Sequence, residues 1–534
     1  MPVDAPPTRK RSYARWRAAS LIAVYALMVV HIVHWKLAGR TLAPLELNEV
    51  LYTLELGVVT AGFLFMALAV LATAIFGRFF CSWACHILAL QDLCSWLLAK
   101  VRIRPKPVRS RVLLLVPVFA MAYMFIWPHI VSAFNAQPRP EFHVGTDQSG
   151  WASFVTTDLW RNLPGPGVSI ATFLVCGFVM VYVLGSRGFC TYGCPYGAIF
   201  AIADRVAPGK IKASGNRASC ADCGLCTAAC DSHIRVHHEL TAFGRVVSPA
   251  CLKDLDCVAA CPTGNISFGI ARPSGFLSWR TWGRFGVPYD FTLGEDLLMA
   301  AVFVGSLASL RGLYDTMPFF LSLGLAALLA FAAVLALRMA TRANLRLNNF
   351  MLKRGGMLTR TGVAFAVAIA TALAATVHSG FIRWHEVAGA HGMRELAETM
   401  NATGTAPAAD ALHAVIDHLE TCRRWGLVRP AGLSLRLATA HCWEEKPQLA
   451  EPHVRRWLDF HPDDHSWRIM LAAILAARGD LHESSEHLRR VAESPSDADD
   501  AHAVRLNAVA RQMLAELAGD TQPPHQGGPN AQHD

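Results

Sequence analysis

Seven apolar stretches of near-bilayer length constrain this chain more than any other feature. They lie at residues 18–37, 54–76, 112–134, 168–184, 293–310, 318–337 and 361–377. A hydrocarbon core about 30 Å thick takes roughly 20 apolar residues of helix, so each stretch reads as a span. The whole chain of 534 residues is 53% hydrophobic with a mean hydropathy of +0.31, too apolar for a wholly soluble protein. Arg9, Lys10, Arg11, Arg15 and Arg17 precede the first span, and no small-residue cleavage site follows it. That pattern predicts an uncleaved anchor.

Basic residues then orient the bundle. The second-to-third connection carries Lys100, Arg102, Arg104, Lys106, Arg109 and Arg111. The sixth-to-seventh carries Arg338, Arg342, Arg346, Lys353, Arg354 and Arg360. By the positive-inside rule these segments and the N-terminus face the cytoplasm. A multi-pass protein of a bacterial inner membrane follows, with residues 188–284 cytoplasmic. An odd number of spans puts the chain after His378 in the periplasm.

Of 15 cysteines, 13 precede residue 262 and fall in short motifs, which suits metal ligation or redox chemistry rather than a disulfide framework. Cys220, Cys223, Cys226 and Cys230 stand at C-x2-C-x2-C-x3-C. This is the run of a bacterial-type ferredoxin, in which thiolates hold a [4Fe-4S] cluster and the fourth cysteine reaches a second one. A partner run follows at Cys251, Cys257 and Cys261-Pro262, with Asp254 at its second ligand position. Structural zinc sites separate two thiol pairs by a longer stretch, so two clusters are expected. The second is either an aspartate-ligated four-iron cluster or a three-iron cluster.

An internal repeat carries more thiols. GRFFCSWACH from Gly77 matches SRGFCTYGCP from Ser186, and Cys81 and Cys85 map onto Cys190 and Cys194 at one offset. Each motif ends a two-helix hairpin, which predicts a parallel repeat about an axis along the membrane normal. A C-x3-C pair puts two thiols on one helical face, able to bind a soft metal such as Cu(I) or to cycle with a disulfide. Arg78 and Arg187 nearby are expected to favour thiolates. The bland alternative is small buried residues at helix ends. Cys94 and Cys176 read as core. Three residues separate Cys81 from Cys85, one more than a c-type haem attachment motif has.

Together these features resemble the NosR/NapH/CcoG-type membrane polyferredoxins over about residues 15–275. The resemblance implies electron movement to or from periplasmic redox systems, including respiratory reductases and copper-assembly machinery. By the ferredoxin pattern Cys220, Cys223, Cys226 and Cys261 hold one cluster, and Cys230, Cys251, Asp254 and Cys257 the other. The chain departs from the type at His86 and Asp231, where prolines are expected, and at Asp254. It shows neither an N-terminal flavin-binding domain nor a β-rich tail.

His31, His34 and His129 sit near the outer ends of spans, and His378 just past the last. Two such histidines could ligate a b-type haem, or one with Glu49 or Glu55 could bind a quinone headgroup. Interfacial anchoring beside Trp35 and Trp127 is the competing reading. Residues 379–520 are polar and helix-patterned, with Ala438/Ala472, Val454/Leu488 and Leu458/Ala492 in a 34-residue register and Pro462 and Pro495 near the unit ends, as in tetratricopeptide-type helix pairs. Residues 521–534 have a disordered composition.

The expected fold is mainly α. Residues 1–187 form membrane helices 1–4 with the first C-x3-C motif. Residues 188–290 form a small α+β two-cluster ferredoxin insertion with the second C-x3-C motif. Residues 291–378 form membrane helices 5–7, and residues 379–520 a helical domain. The expected function is electron relay between a cytoplasmic or quinone donor and a periplasmic partner, with no nucleic acid involved. The alternatives are a copper reductase or assembly factor and a scaffold acting through its helical repeats. Cys422 and Cys442 would then lie outside, where a disulfide can form.

Overall fold

The computed structural model describes residues 13–45, 49–103, 105, 108–136, 138, 140–144, 153–160, 165–214, 220–232, 234–276, 289–494 and 501–519. Arg9, Lys10, Arg11, Arg104, Lys106, Pro495 and the tail 521–534 lie outside them. The chain divides into two compact units. One comprises Met1–Arg311 and Pro318–Ala374, the other Gly312–Met317 and Ala375–Asp534.

In the first unit, six helices among the described residues are long and apolar enough to cross a membrane. They are Tyr13–Ala38, Arg111–Phe134, Pro166–Leu184, Leu293–Leu310, Phe319–Thr341 and Arg360–Thr403, the last continuing into the second unit. The stretch 54–76 is not one helix. It divides into Glu49–Leu56 and Ala61–Phe76. Gly57 takes a positive φ of 76°, Val58 bridges His143, and the Thr60 hydroxyl caps the restart by accepting from Phe63 N at 3.2 Å. None of these residues is charged, so hydropathy alone runs straight through the break. The resulting 16-residue helix is shorter than the roughly 20 residues a bilayer needs.

The core of this unit is built on Phe319–Thr341. Small residues Ala326, Ala327 and Ala330, all fully buried, let that helix approach Met180, Leu113, Met299 and Phe303. The cysteine-rich segment is a small α+β element. Gly209–Ala213 pairs antiparallel with Ile266–Ile270, in register from Gly209↔Ile270 to Ala213↔Ile266. Short helices Leu225–Ala228, Val236–Phe243 and Asp256–Ala259 lie between the two strands in sequence.

The second unit is a run of helices: Ala409–Trp425, Ala431–Trp443, Pro447–Phe460, His465–Ala477, Leu481–Ala492 and Ala501–Gly519. His465 begins 34 residues after Ala431, and Leu481 begins 34 residues after Pro447. Ala438, Ala472, Val454 and Leu488 are fully buried at matching positions. Cys422 and Cys442 are both free thiols. Cys422 is buried and donates to Ile382 O at 3.7 Å, whereas Cys442 packs in the apolar cluster of Ala438 and Val454. The disulfide that these positions allow is not formed, because the two side chains serve different contacts.

Candidate functional site

The two ferredoxin runs fold alike. Asp222 and Gly224 take φ of 50° and 67°, and Lys253 and Leu255 take 57° and 66°. Each run then enters a single helical turn, at Leu225 and at Asp256. This superposes Cys220 on Cys251, Cys226 on Cys257 and Cys223 on Asp254, so the carboxylate occupies a ligand position in the backbone as well as in the spacing.

Cys220, Cys223, Cys226 and Cys261 together line one cavity of about 250 Å³, with Pro262 and Ile266 among its walls. His237 lies at its edge, Nδ1 4.0 Å from Cys220 Sγ, its other nitrogen 2.5 Å from Asp222. Cys230, Cys251 and Cys257 are each influenced by the charge of Asp254. Burial pushes all three thiols up, and it pushes the Asp254 carboxyl up against the pull of Arg187 and Arg17. Asp254 Oδ1 accepts from Asp256 N at 3.3 Å, while Oδ2 is buried with no hydrogen-bond partner. An orphaned carboxylate oxygen costs about 1–3 kcal/mol or more unless something binds it. Three thiols and this oxygen suit iron at a sulfide core. Both sets thus fit an iron–sulfur cluster.

The repeat motifs bring Cys81, Cys85, Cys190 and Cys194 into one buried cluster with Tyr196 and Phe200. Arg78 donates to Cys81 Sγ at 3.8 Å and Gln91 to Cys190 Sγ at 3.2 Å. Burial pushes the Cys85 thiol up to about 11, the Cys194 thiol up to about 12 and the Cys190 thiol well above its ordinary value. Arg78 and Arg187 pull the other way but do not prevail. The expectation that they favour free thiolates is corrected by this burial; a bound cation would have to drive deprotonation.

Arg187 links the sites. It is 1% exposed, pairs with Asp92 and, at 3.4 Å, with Asp231, and feels the charge of both Asp254 and Cys190. Arg17 joins Asp92 at 3.5 Å to Asp256 at 2.9 Å. Asp204, fully buried, holds Lys210 and Lys253 at 2.8 Å each and accepts from Arg78 N at 3.3 Å. Ser82 and Trp83 donate to Leu252 O and Lys253 O at 2.6 and 3.1 Å. The first repeat motif is therefore fastened directly onto the second ferredoxin run. Sequence reasoning missed Asp204, Asp92 and Gln91, which belong to no motif, and Lys253, which lies inside the second run but is no ligand; their partners meet them only in three dimensions. The uncharged flanks around Asp92 were the available signal.

The histidines behave differently. His31 Nε2 lies 3.0 Å from Leu42 O and His34 Nδ1 3.1 Å from Thr41 Oγ1, both on a two-residue strand that pairs with Val155–Thr156. His129 lies within electrostatic reach of Glu55. His378 contacts Trp425 O at 3.2 Å.

Sites of this construction define a class, the iron–sulfur proteins of electron transport. A family model described as a 4Fe-4S binding domain matches the chain twice, at residues 58–105 and 167–214. The two matches stand at the offset that carries Cys81 onto Cys190, so the model covers the repeat and its thiols and stops short of Cys220. Among curated relatives, YccM of Escherichia coli, named as an electron transport protein, is 24% identical over 223 residues, which is 40% of this chain and 57% of that protein. The methylamine utilization ferredoxin-type protein MauN of Methylobacillus flagellatus is 25% identical over 234 residues, 40% of this chain and 76% of that protein. The chain thus spans little more than half the length of the first. No solved structure matches. These findings support an iron–sulfur electron-transport family and do not single out the NosR/NapH/CcoG type.

Proposed function

We propose that the chain is a membrane-embedded iron–sulfur electron carrier with three redox sites in series. They are the cavity of Cys220, Cys223, Cys226 and Cys261, the set of Cys230, Cys251, Asp254 and Cys257, and the four thiols of the repeat. When bound, iron–sulfur clusters supply one-electron exchange at potentials tuned by ligand, charge and solvent exposure. The observation that carries the reading is Arg187, one buried guanidinium coupled both to Asp254 and to Cys190. Its charge stabilises added electron density on either side, and the Ser82 and Trp83 hydrogen bonds hold the sites in register. The exposed apolar faces of Tyr13–Ala38, with Leu27 67% and Val30 62% exposed, support a lipid setting. The C-terminal helices, repeating at 34 residues, support docking of a partner protein, which on the charge distribution is periplasmic.

Glu55 and His129 favour one addition. An acid and an imidazole within electrostatic reach near a membrane face suit a quinone headgroup, whose reduction takes up protons. Haem ligation by His31 and His34 has less support, since both rings already engage the Thr41–Leu42 strand.

Iron and sulfide analysis of anaerobically purified protein tests the proposal. About twelve iron atoms are expected, falling to about eight in a variant lacking Cys81 and Cys190. About eight iron atoms in both, with copper bound only when the four thiols are intact, would assign the repeat to metal handling instead. Zinc without iron would overturn the electron-carrier reading.

A further inference from the structure

We propose that Glu420, His441 and His453 form a transition-metal site in the C-terminal helical unit. The three residues come from consecutive helices, Ala409–Trp425, Ala431–Trp443 and Pro447–Phe460. One ligating atom from each lies within 4.8 Å of those of the other two, the only such trio among the described residues. Tetrahedral ligands about 2.1 Å from a metal stand about 3.4 Å apart, so side-chain rotations that draw the donors together by about 1.4 Å or less close the site.

A supporting carboxylate is already in place. Glu444 Oε2 lies 3.1 Å from His441 Nδ1. Accepting from that N–H fixes the tautomer in which Nε2 carries the lone pair, the arrangement that supports metal-bound histidines generally. Glu444 is itself held by Lys446 at 2.7 Å and His413 at 3.1 Å. His441 is buried, and its ring stacks on His453 with centroids 6.0 Å apart. Arg423 donates to Glu420 Oε2 at 2.6 Å, so a cation would share this carboxylate through its other oxygen.

Two imidazoles and a carboxylate select a borderline divalent ion such as Zn²⁺, Cu²⁺ or Ni²⁺ over Mg²⁺ or Ca²⁺. Three protein ligands leave a position for water or an exogenous ligand. His453 also lines a cavity of about 170 Å³ with Arg423, Arg429 and Arg456, which makes that ligand an anion.

The test uses the full-length protein in detergent with its clusters assembled, titrated anaerobically with Co²⁺ and with Zn²⁺ against a chromogenic chelator. One equivalent of Co²⁺ should give visible bands of nitrogen and oxygen ligation without thiolate charge transfer, and Zn²⁺ should displace it. H441Q and H453Q should each lose that equivalent, and H482Q should retain it. E444Q, a positioning variant, should keep the stoichiometry and weaken the affinity about 10–100-fold. Circular dichroism checks the helical fold; if H441Q unfolds, the half-buried His453 decides through H453Q. A missing thiolate-free signal, or one that survives in H453Q, overturns the proposal.

Discussion

Leu255 holds a left-handed backbone, φ 66°, that costs a side-chain-bearing residue about 1–2 kcal/mol. Gly224 takes the same turn in the other run with no side chain to strain. The second run thus bends against its own preference, and the bend sets Asp254 where Cys223 stands in the first. A carboxylate is a harder ligand than a thiolate and holds iron less well at a sulfide core. Oxidation of the parent should therefore release that iron first, giving the EPR signal of a three-iron cluster, and D254C should resist the loss. Identical EPR signals and potentials in parent and D254C would show that Asp254 is no ligand. Arg187 acts through charge. Reduction adds negative charge beside it, so its guanidinium raises the potential, and R187Q should lower the midpoint of the second cluster by tens of millivolts, where about 59 mV is a tenfold change for one electron. A redox titration that finds no shift contradicts the linking role. The proposed ligand positions were legible in the sequence because cysteine spacing points to them directly. Arg187 was read only as a neighbour of one thiol pair, since its partners Asp92, Asp231 and Asp254 are scattered through the chain.

Between elements, buried charge does the fastening. Asp204 sits at the end of one helix and holds lysines from a strand and from a cluster run, none of them more than 1% exposed. Removing one member of such a group strands the others and costs about 3–5 kcal/mol. D204N should lower the unfolding free energy from denaturant titration by that amount and release the second cluster, read as lost absorbance. A Cβ at Gly77 would meet Lys253 Cε at 2.6 Å and Asp204 Oδ1 at 2.7 Å, so G77A should reproduce part of the defect. In the helical unit, Arg455 forks onto Glu483 at 2.7 and 2.9 Å and holds its carboxyl below the ordinary range. A depressed carboxyl stabilises the fold above its unfolded value, about 4.3, and that share vanishes as pH falls through the folded value. E483Q should cost about 0.5 kcal/mol at neutral pH, the worth of a part-exposed pair, and flatten the acid limb of thermal stability. The helix pairing was legible from the 34-residue recurrence of small and apolar residues. The break at Gly57–Thr60 was not, because a β-bridge to His143 leaves no trace in local hydropathy.

For the molecule as a whole, the parity of spans decides which compartment each end meets. Reporters fused after Gly275 and after Gly519 should report the cytoplasm and the periplasm. The reverse result, periplasm after Gly275 and cytoplasm after Gly519, would mean that the broken stretch Glu49–Phe76 does not cross. Hydropathy could place the long helices but could not count this one, whose geometry depends on a distant loop. The four-thiol site has a different kind of consequence. Half of its ligands come from the hairpin ending at Cys85 and half from the hairpin ending at Cys194, with more than a hundred residues made in between. A chain arrested after the first hairpin holds only two thiols, too few to retain a cofactor. On the proposed reading, in which the four thiols hold a cluster, loading the site is an AND gate in biogenesis: a finished centre requires that both copies of the repeat have met.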